Sequence, residues 1–220
     1  ALRTARQRGD VERDTEASRA EQIFTDAIRQ AGVRGYFDTE TANGRTLTQC
    51  LLEDARCADL SILGKPLDGP HERSLTQLIE EAGTPVMVIP DGTARTPGES
   101  RVAIAWNGTR ESARAVHGAL PLIARAGHAT ILTVRREEDL SASAQRLRSW
   151  LEQHDIACDL RHDQSNLKTA DALVSRAEDV SADVLVMGAY GRSRLRQMAT
   201  GGATTGRLVR QATIPLFMAQ

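Results

Sequence analysis

The chain has 220 residues, enough for one large domain or two small ones, and its 40% apolar and 26% charged residues are ordinary for a globular protein. Its 28 Lys and Arg against 29 Asp and Glu leave a net charge of -1, which gives no electrostatic reason to propose nucleic acid or a membrane surface as a partner. No apolar run approaches the roughly 18 residues of a transmembrane helix, and the opening of the chain is charged rather than signal-like, so the cytoplasm is the expected address.

In chain order, Ala5 to Asp10 does not read as a strand. A helix is predicted from about Glu16 to Ala31, with Ile23, Phe24, Ala27 and Ile28 on one face, followed by a short strand at about Gly35 to Thr39. Cys50 and Cys57 lie on a predicted helix, seven residues apart, and share a face. With Cys158 they are odd in number and match neither a metal-binding CxxC pair nor a disulfide framework, so all three read as reduced thiols, and Cys50 and Cys57 as small core residues. Apolar strands follow at Leu60 to Leu63 and Val86 to Ile89. Residues 91–100 contain Gly92, Pro97 and Gly98 and no large apolar side chain, the composition of a linker.

Beyond the linker, apolar runs of strand length alternate with helical periods, the pattern of a parallel sheet wound by crossover helices. The strands are predicted at Val102 to Trp106, Ala129 to Val134, Ile156 to Arg161, Val184 to Met187 and Pro215 to Ala219. The third is polar and edge-like. The helices fall at Glu111 to Arg125, Ser141 to His154, Lys168 to Val180 and around Arg207 to Gln211. Gly127 stops the first of them at the usual C-terminal position.

The two halves repeat one another. Ala58-Asp-Leu-Ser-Ile-Leu-Gly64 resembles Ala182-Asp-Val-Leu-Val-Met-Gly188, 124 residues later, and Ala82 to Pro90 resembles Ala212 to Gln220 at an offset of 130. Carried backwards, the same offset leaves no first or second strand in the first copy. The chain also opens without Met, and the expectation is an upstream segment removed, unordered or lost from the gene.

After the fourth strand of the second copy the sequence runs Gly188, Gly191, then Gly201-Gly-Ala-Thr-Thr205 and a helix. Glycines let backbone amides converge on an anion, and a helix N-terminus behind them adds partial positive charge. The Gly-x2-Gly-x9-Gly spacing resembles that of the universal stress protein family, as does Ala105-Trp-Asn-Gly-Thr109 at the end of the first strand. The resemblance covers residues 101–220 as a complete module and about 16–92 as a partial one.

That resemblance implies an α/β fold of the adenine nucleotide alpha hydrolase-like kind, a doubly wound parallel five-stranded sheet of order 3-2-1-4-5, in two tandem modules. Residues 1–92 would be a module lacking strands one and two and the first helix, 93–100 a linker, and 101–220 the complete module. It also implies a binding protein of the stress response whose pocket holds ATP or AMP, with Mg²⁺ only alongside ATP. The pocket residues would be Ala105, Asn107, Val134, Met187, Gly188, Gly191, Gly201, Gly202, Ala203 and Thr204, with strand two facing the base. Asn107 stands where the family carries an acid, and Gly202 where it carries Ser or Thr. Arg192, Arg194, Arg196, Arg207 and Arg210 surround the loop as phosphate contacts or a solvated face, while Lys65 in the shorter loop of the first copy reads as a surface lysine.

No other chemistry has a signature. The five histidines show no metal spacing, and His117 reads as a partly buried packing residue. A nucleotide hydrolase using the same pocket and an assembly module that binds no nucleotide stay open beside the binding reading. For assembly, the apolar last strands of the two copies should pair, as an internal pseudo-dimer or between two chains. Residues 1–45, deprived of their sheet, would pack on another subunit or be poorly held.

Overall fold

The computed structural model describes residues 2–39, 44–65, 70–92, 101–134, 138–189 and 204–220. The chain divides into two units, Ala1–Arg45 and Thr46–Gln220. The first is built on one long helix, α1 (Leu2–Ala31). It starts well before Glu16, because Arg, Glu and Ala in its polar first half are good helix formers even where no apolar stripe exists. Gly32 ends it at φ +66°, and the Val33 N–H donates to the Ile28 carbonyl, a Schellman stop. The expected strand at Gly35 to Thr39 is not a strand: the segment folds back along α1, with Phe37 tilted against Phe24 at a ring distance of 6.0 Å. Only part of the expected apolar face is covered, since Phe24 and Ile28 are half-buried while Ile23 is 61% exposed.

The second unit contains α2 (Leu47–Ala55), β1 (Ser61–Gly64), α3 (Pro70–Glu81), β2 (Val86–Ile89), β3 (Val102–Ala105), α4 (Arg110–Ala126) and β4 (His128–Val134). It continues with α5 (Glu138–Glu152), β5 (Ala157–Asp163), α6 (Thr169–Asp179), β6 (Val184–Gly188), α7 (Thr204–Gln211) and β7 (Leu216–Ala219). Among the described residues one sheet of seven strands runs β1-β2-β7-β6-β3-β4-β5. Its last five strands have the order the resemblance implied, with polar β5 at the outer edge. All neighbours are parallel except β2 and β7, which pair antiparallel with Met87 opposite Phe217.

The two copies therefore meet through their last strands, and the internal alternative is the one the sheet adopts. Both strands are flanked on each side, β2 by β1 and β7, β7 by β6 and β2. The seam is dry: Val86, Val88, Leu216 and Met218 are each at most 1% exposed. Burial of such side chains contributes about 1.5–3 kcal/mol each, an upper estimate because denatured chains already bury part of that surface.

Two apolar layers flank the sheet. On one face Leu52, Leu75, Leu78 and Ile79 of the first copy join Leu173, Leu208 and Met218 of the second in one cluster. On the other, Val116, Ala119 and Ile123 of α4 and Ala144, Leu147 and Leu151 of α5 cover Ile104, Ile131 and Val186. α4 lies close to the seam, since a Cβ on Gly118 would come within 2.9 Å of the Pro85 ring. Gly127 caps α4 at φ +68° as expected.

Three smaller readings are corrected. Cys50 and Cys158 are buried, but Cys57 lies beyond the end of α2 and is exposed. His117 is exposed, its ring edge-on to Trp150 at 4.7 Å over the α4–α5 surface. Lys65 is not a free surface lysine: its ammonium donates to the Arg210 carbonyl at 2.7 Å, so the first copy satisfies the C-terminal end of α7. The linker residues 93–100 lie outside the described residues.

Candidate functional site

The helices that follow β3 and β6 in the chain pack on opposite faces of the sheet, α4 in one apolar layer and α7 in the other. Neighbouring strands whose crossovers diverge leave a crevice at their carboxyl ends, the usual ligand position in open α/β sheets. Five of the expected site residues are described with their side chains, and they gather here.

Ala105 ends β3, in register with Leu132 of β4 and Met187 of β6. Ala105 and Val134 are half-buried and Met187 is 4% exposed, all against the layer containing α6 and α7. They form an apolar ledge across three adjacent strand ends.

Asn107 is exposed just beyond. Its Oδ1 accepts from the Thr109 N–H at 3.2 Å and the Thr109 hydroxyl at 2.8 Å, folding the turn into α4. Gly108 takes φ +70° in this turn, which few side chains tolerate. Thr109 is the N-cap of α4, accepting from the Ser112 N–H. The Trp106 indole N–H donates to Ser143 of α5 at 3.0 Å and fixes the same turn from its other side.

Gly188 has a packing reason to be glycine. A Cβ there would sit 2.5 Å from the Ser112 nitrogen and 2.6 Å from the Glu111 carbonyl carbon, so the glycine lets the first turn of α4 lie directly against β6. Ala189 next to it is fully buried, its N–H donating to the Ala219 carbonyl at 2.8 Å.

Sequence reasoning missed Glu111. It occupies the first turn of α4 and is only 6% exposed, with its carboxylate 2.6 Å from the Arg110 guanidinium. Burial pushes its carboxyl up, but hydrogen bonds from Arg110, its own backbone and Thr109, with the charge of Arg110, outweigh that and hold it below the ordinary carboxylate range. A carboxylate thus already lies at the N-terminal end of α4. An acid in a first helical turn is ordinary, so only the packing against Gly188 distinguishes it.

A second buried carboxylate, Asp163 at the end of β5, is 3% exposed and is held by Ser165 and by Arg176 at 2.8 Å. Burial opposes its ionisation, and the hydrogen bonds from Ser165 and Arg176 more than offset it, lowering its pKa. Arg207 is taken up in α6–α7 packing by a two-pronged contact with Asp171, at 3.1 and 2.8 Å, which leaves it a structural rather than a ligand-facing arginine.

Gly191, Gly201, Gly202 and Ala203 lie outside the described residues, as do Arg192, Arg194 and Arg196. Thr204 begins α7, so a helix N-terminus does follow the glycine segment. Among the described residues no group of three or more His, Cys, Asp or Glu could hold a metal ion, and no helix is long and apolar enough to cross a membrane.

No curated protein sequence matches the chain. The crystal structure of a universal stress protein from Archaeoglobus fulgidus is similar over 94% of this chain and 78% of its own, with a TM-score of 0.74 at 16% identity. A putative universal stress protein from Pseudomonas aeruginosa is similar over 92% of this chain and 77% of its own, with a TM-score of 0.60 at 15% identity. A functionally unknown protein of the same species gives the same coverage and TM-score at 14% identity. Those likenesses establish the fold. The sequence profile described as the universal stress protein family matches residues 157–220, which run from β5 through the glycine segment to β7. That match spans the last strands of the sheet, and over them the chain is similar to the universal stress protein family.

Proposed function

We propose that the chain is a stress-response binding protein whose second copy holds an adenine nucleotide in the crevice between the ends of β3 and β6. The observation that carries this is the gathering of Ala105, Val134, Met187 and Asn107 at the one place where the crossovers diverge. In this reading the base lies on the ledge of Ala105 and Val134, and the Asn107 amide donates to a ribose hydroxyl. The phosphates are held by main-chain N–H groups of the Gly188 to Gly201 segment and the N-terminus of α7. α4 is the poorer phosphate site, because the Glu111 carboxylate already stands at its N-terminus.

The residues fit AMP more readily than Mg²⁺-ATP. Asn107 is neutral and its oxygen is engaged by Thr109, so it supplies no anionic metal ligand. Binding rather than hydrolysis follows from the same point, with association to other proteins as the output.

Isothermal titration with AMP, ATP and GTP, with and without Mg²⁺, tests the reading. Adenine nucleotides should bind in preference to GTP, and Gly191→Val should abolish binding while circular dichroism stays unchanged. Equal binding of all three by the variant and the parent would remove the site from the glycine segment.

A further inference from the structure

A cavity of about 390 Å³ lies where β3, β4 and β5 begin, at the end of the sheet opposite the β3–β6 crevice. Every residue that lines it falls between Arg101 and Val180, within the second copy. Its floor is the face of the sheet that α6 covers further along. Leu132 is 2% exposed in the layer that contains α6 and α7, and Thr130, two residues earlier on the same face, lines the cavity. α6 ends at Asp179 with Val180 as its C-cap, and these two residues form the wall. The volume falls within the range of about 300–1,000 Å³ usual for small-ligand pockets.

Thr130 is only 6% exposed, and its hydroxyl makes no hydrogen bond to a described residue. No fully enclosed side-chain polar atom lacks a partner among the described residues, so this hydroxyl opens into the cavity that Thr130 lines. A buried hydroxyl without a partner is costly, and a ligand that accepts from it removes the cost. The charges around it are unequally engaged. Asp179 accepts from the Arg176 guanidinium at 2.6 Å, and Asp159 lies 3.4 Å from Nε2 of His128. Arg101 donates its main-chain N–H to Asp183 at 2.9 Å, but its guanidinium and that of Arg161 pair with no described residue. The acids of the cavity thus have partners, whereas its two arginines keep their donors for something else.

The two arginines stand at opposite corners of the floor. By the strand register Arg101 is level with His128 and Ala157, so Arg161 lies four residues further along. Their strands flank β4, which separates the two backbones by about 10 Å across the sheet and about 13 Å along it. Thr130 lies on the diagonal between them. Such spacing suits an anion with a charged group at each end better than one compact oxyanion. We infer that this cavity is a second ligand site, for a small organic dicarboxylate whose two ends pair with Arg101 and Arg161 while one end accepts from the Thr130 hydroxyl.

The probes are the dicarboxylates from malonate to adipate, with neutral succinamide and inorganic phosphate for comparison. Each is titrated into the full chain by calorimetry and by amide NMR. At least one dicarboxylate should bind saturably and shift the amides of Thr130, Asp159 and Arg161, while succinamide leaves them unmoved. Phosphate should bind at least about tenfold more weakly. Thr130→Val keeps the shape of the floor without its hydroxyl, and Arg161→Gln removes one charge from the surface. Each should weaken the dicarboxylate by at least about tenfold with the circular dichroism of the parent retained. The inference fails if no dicarboxylate saturates, if succinamide binds as well as succinate, or if both variants bind as the parent does. Phosphate binding as tightly as the best dicarboxylate would overturn the two-ended reading.

Discussion

Gly188→Ala and Gly64→Ala place one methyl group at equivalent positions of the repeat and should have opposite effects. At Gly188 the new Cβ would lie 2.5 and 2.6 Å from main-chain atoms of Ser112 and Glu111, and 2.9 Å from the Glu111 Cβ. Backbone atoms of a helix cannot swing aside, so the first turn of α4 must lift from β6. Overpacking costs about 1–3 kcal/mol, and a clash with main chain belongs in the upper half of that range. For a unit of this size about 2–3 kcal/mol corresponds to a fall in Tm of about 4–12 °C. At Gly64 nothing lies within 4 Å, so the lower entropy of the unfolded chain dominates and stability should rise by about 0.4–1 kcal/mol. Urea unfolding followed by circular dichroism, with equal m-values to exclude a changed denatured state, measures both. Equal effects of the two substitutions, or a neutral Gly188→Ala, would refute the packing of α4 on β6.

Arg176→Ala leaves the Asp163 carboxylate buried with Ser165 as its remaining side-chain donor, and should lower the Tm at neutral pH in thermal denaturation. Because the pKa of Asp163 is lowered in the folded chain, its contribution is present above the ordinary aspartate range and is lost as pH falls through the depressed value. The difference between parent and variant should therefore shrink below about pH 4, and a difference independent of pH would contradict the assignment. Thiol labelling at pH 8 should modify Cys57 in the folded chain and spare Cys158, whose pKa burial raises to about 11; equal rates would show β5 to be more open than described. Lys65→Met should lower stability by about 0.5–1.5 kcal/mol through loss of the bonds to the end of α7, and an unchanged Tm would place Lys65 in solvent.

Much of the sheet was legible because buried parallel strands are written as uninterrupted apolar runs. Val102 to Ala105 and Val184 to Met187 could be read directly, and the repeat foretold the meeting of β2 with β7. Failures came where a local pattern needed a distant partner. Gly35 to Thr39 has the composition of a strand, but in the structure it lies against Phe24 and Ile28 of its own helix. At Gly188 the close approach of Ser112 is invisible in sequence without the crossing of α4 over β6. Lys65, Arg207 and Glu111 are charged residues whose partners lie across the fold or depend on burial, neither of which has a sequence period. Asn107 could be read from sequence as part of the turn after β3, but not that its oxygen would be spent on Thr109.

The most direct test of nucleotide binding at the β3–β6 crevice is the amide NMR spectrum of the chain titrated with AMP. The account predicts saturable shifts at Trp106 to Ser112, Val134, Gly188 and Ala189, and none at Arg101, His128 and Asp159 at the opposite end of the strands. Shifts confined to that opposite end, or no shifts at saturating AMP, would contradict it.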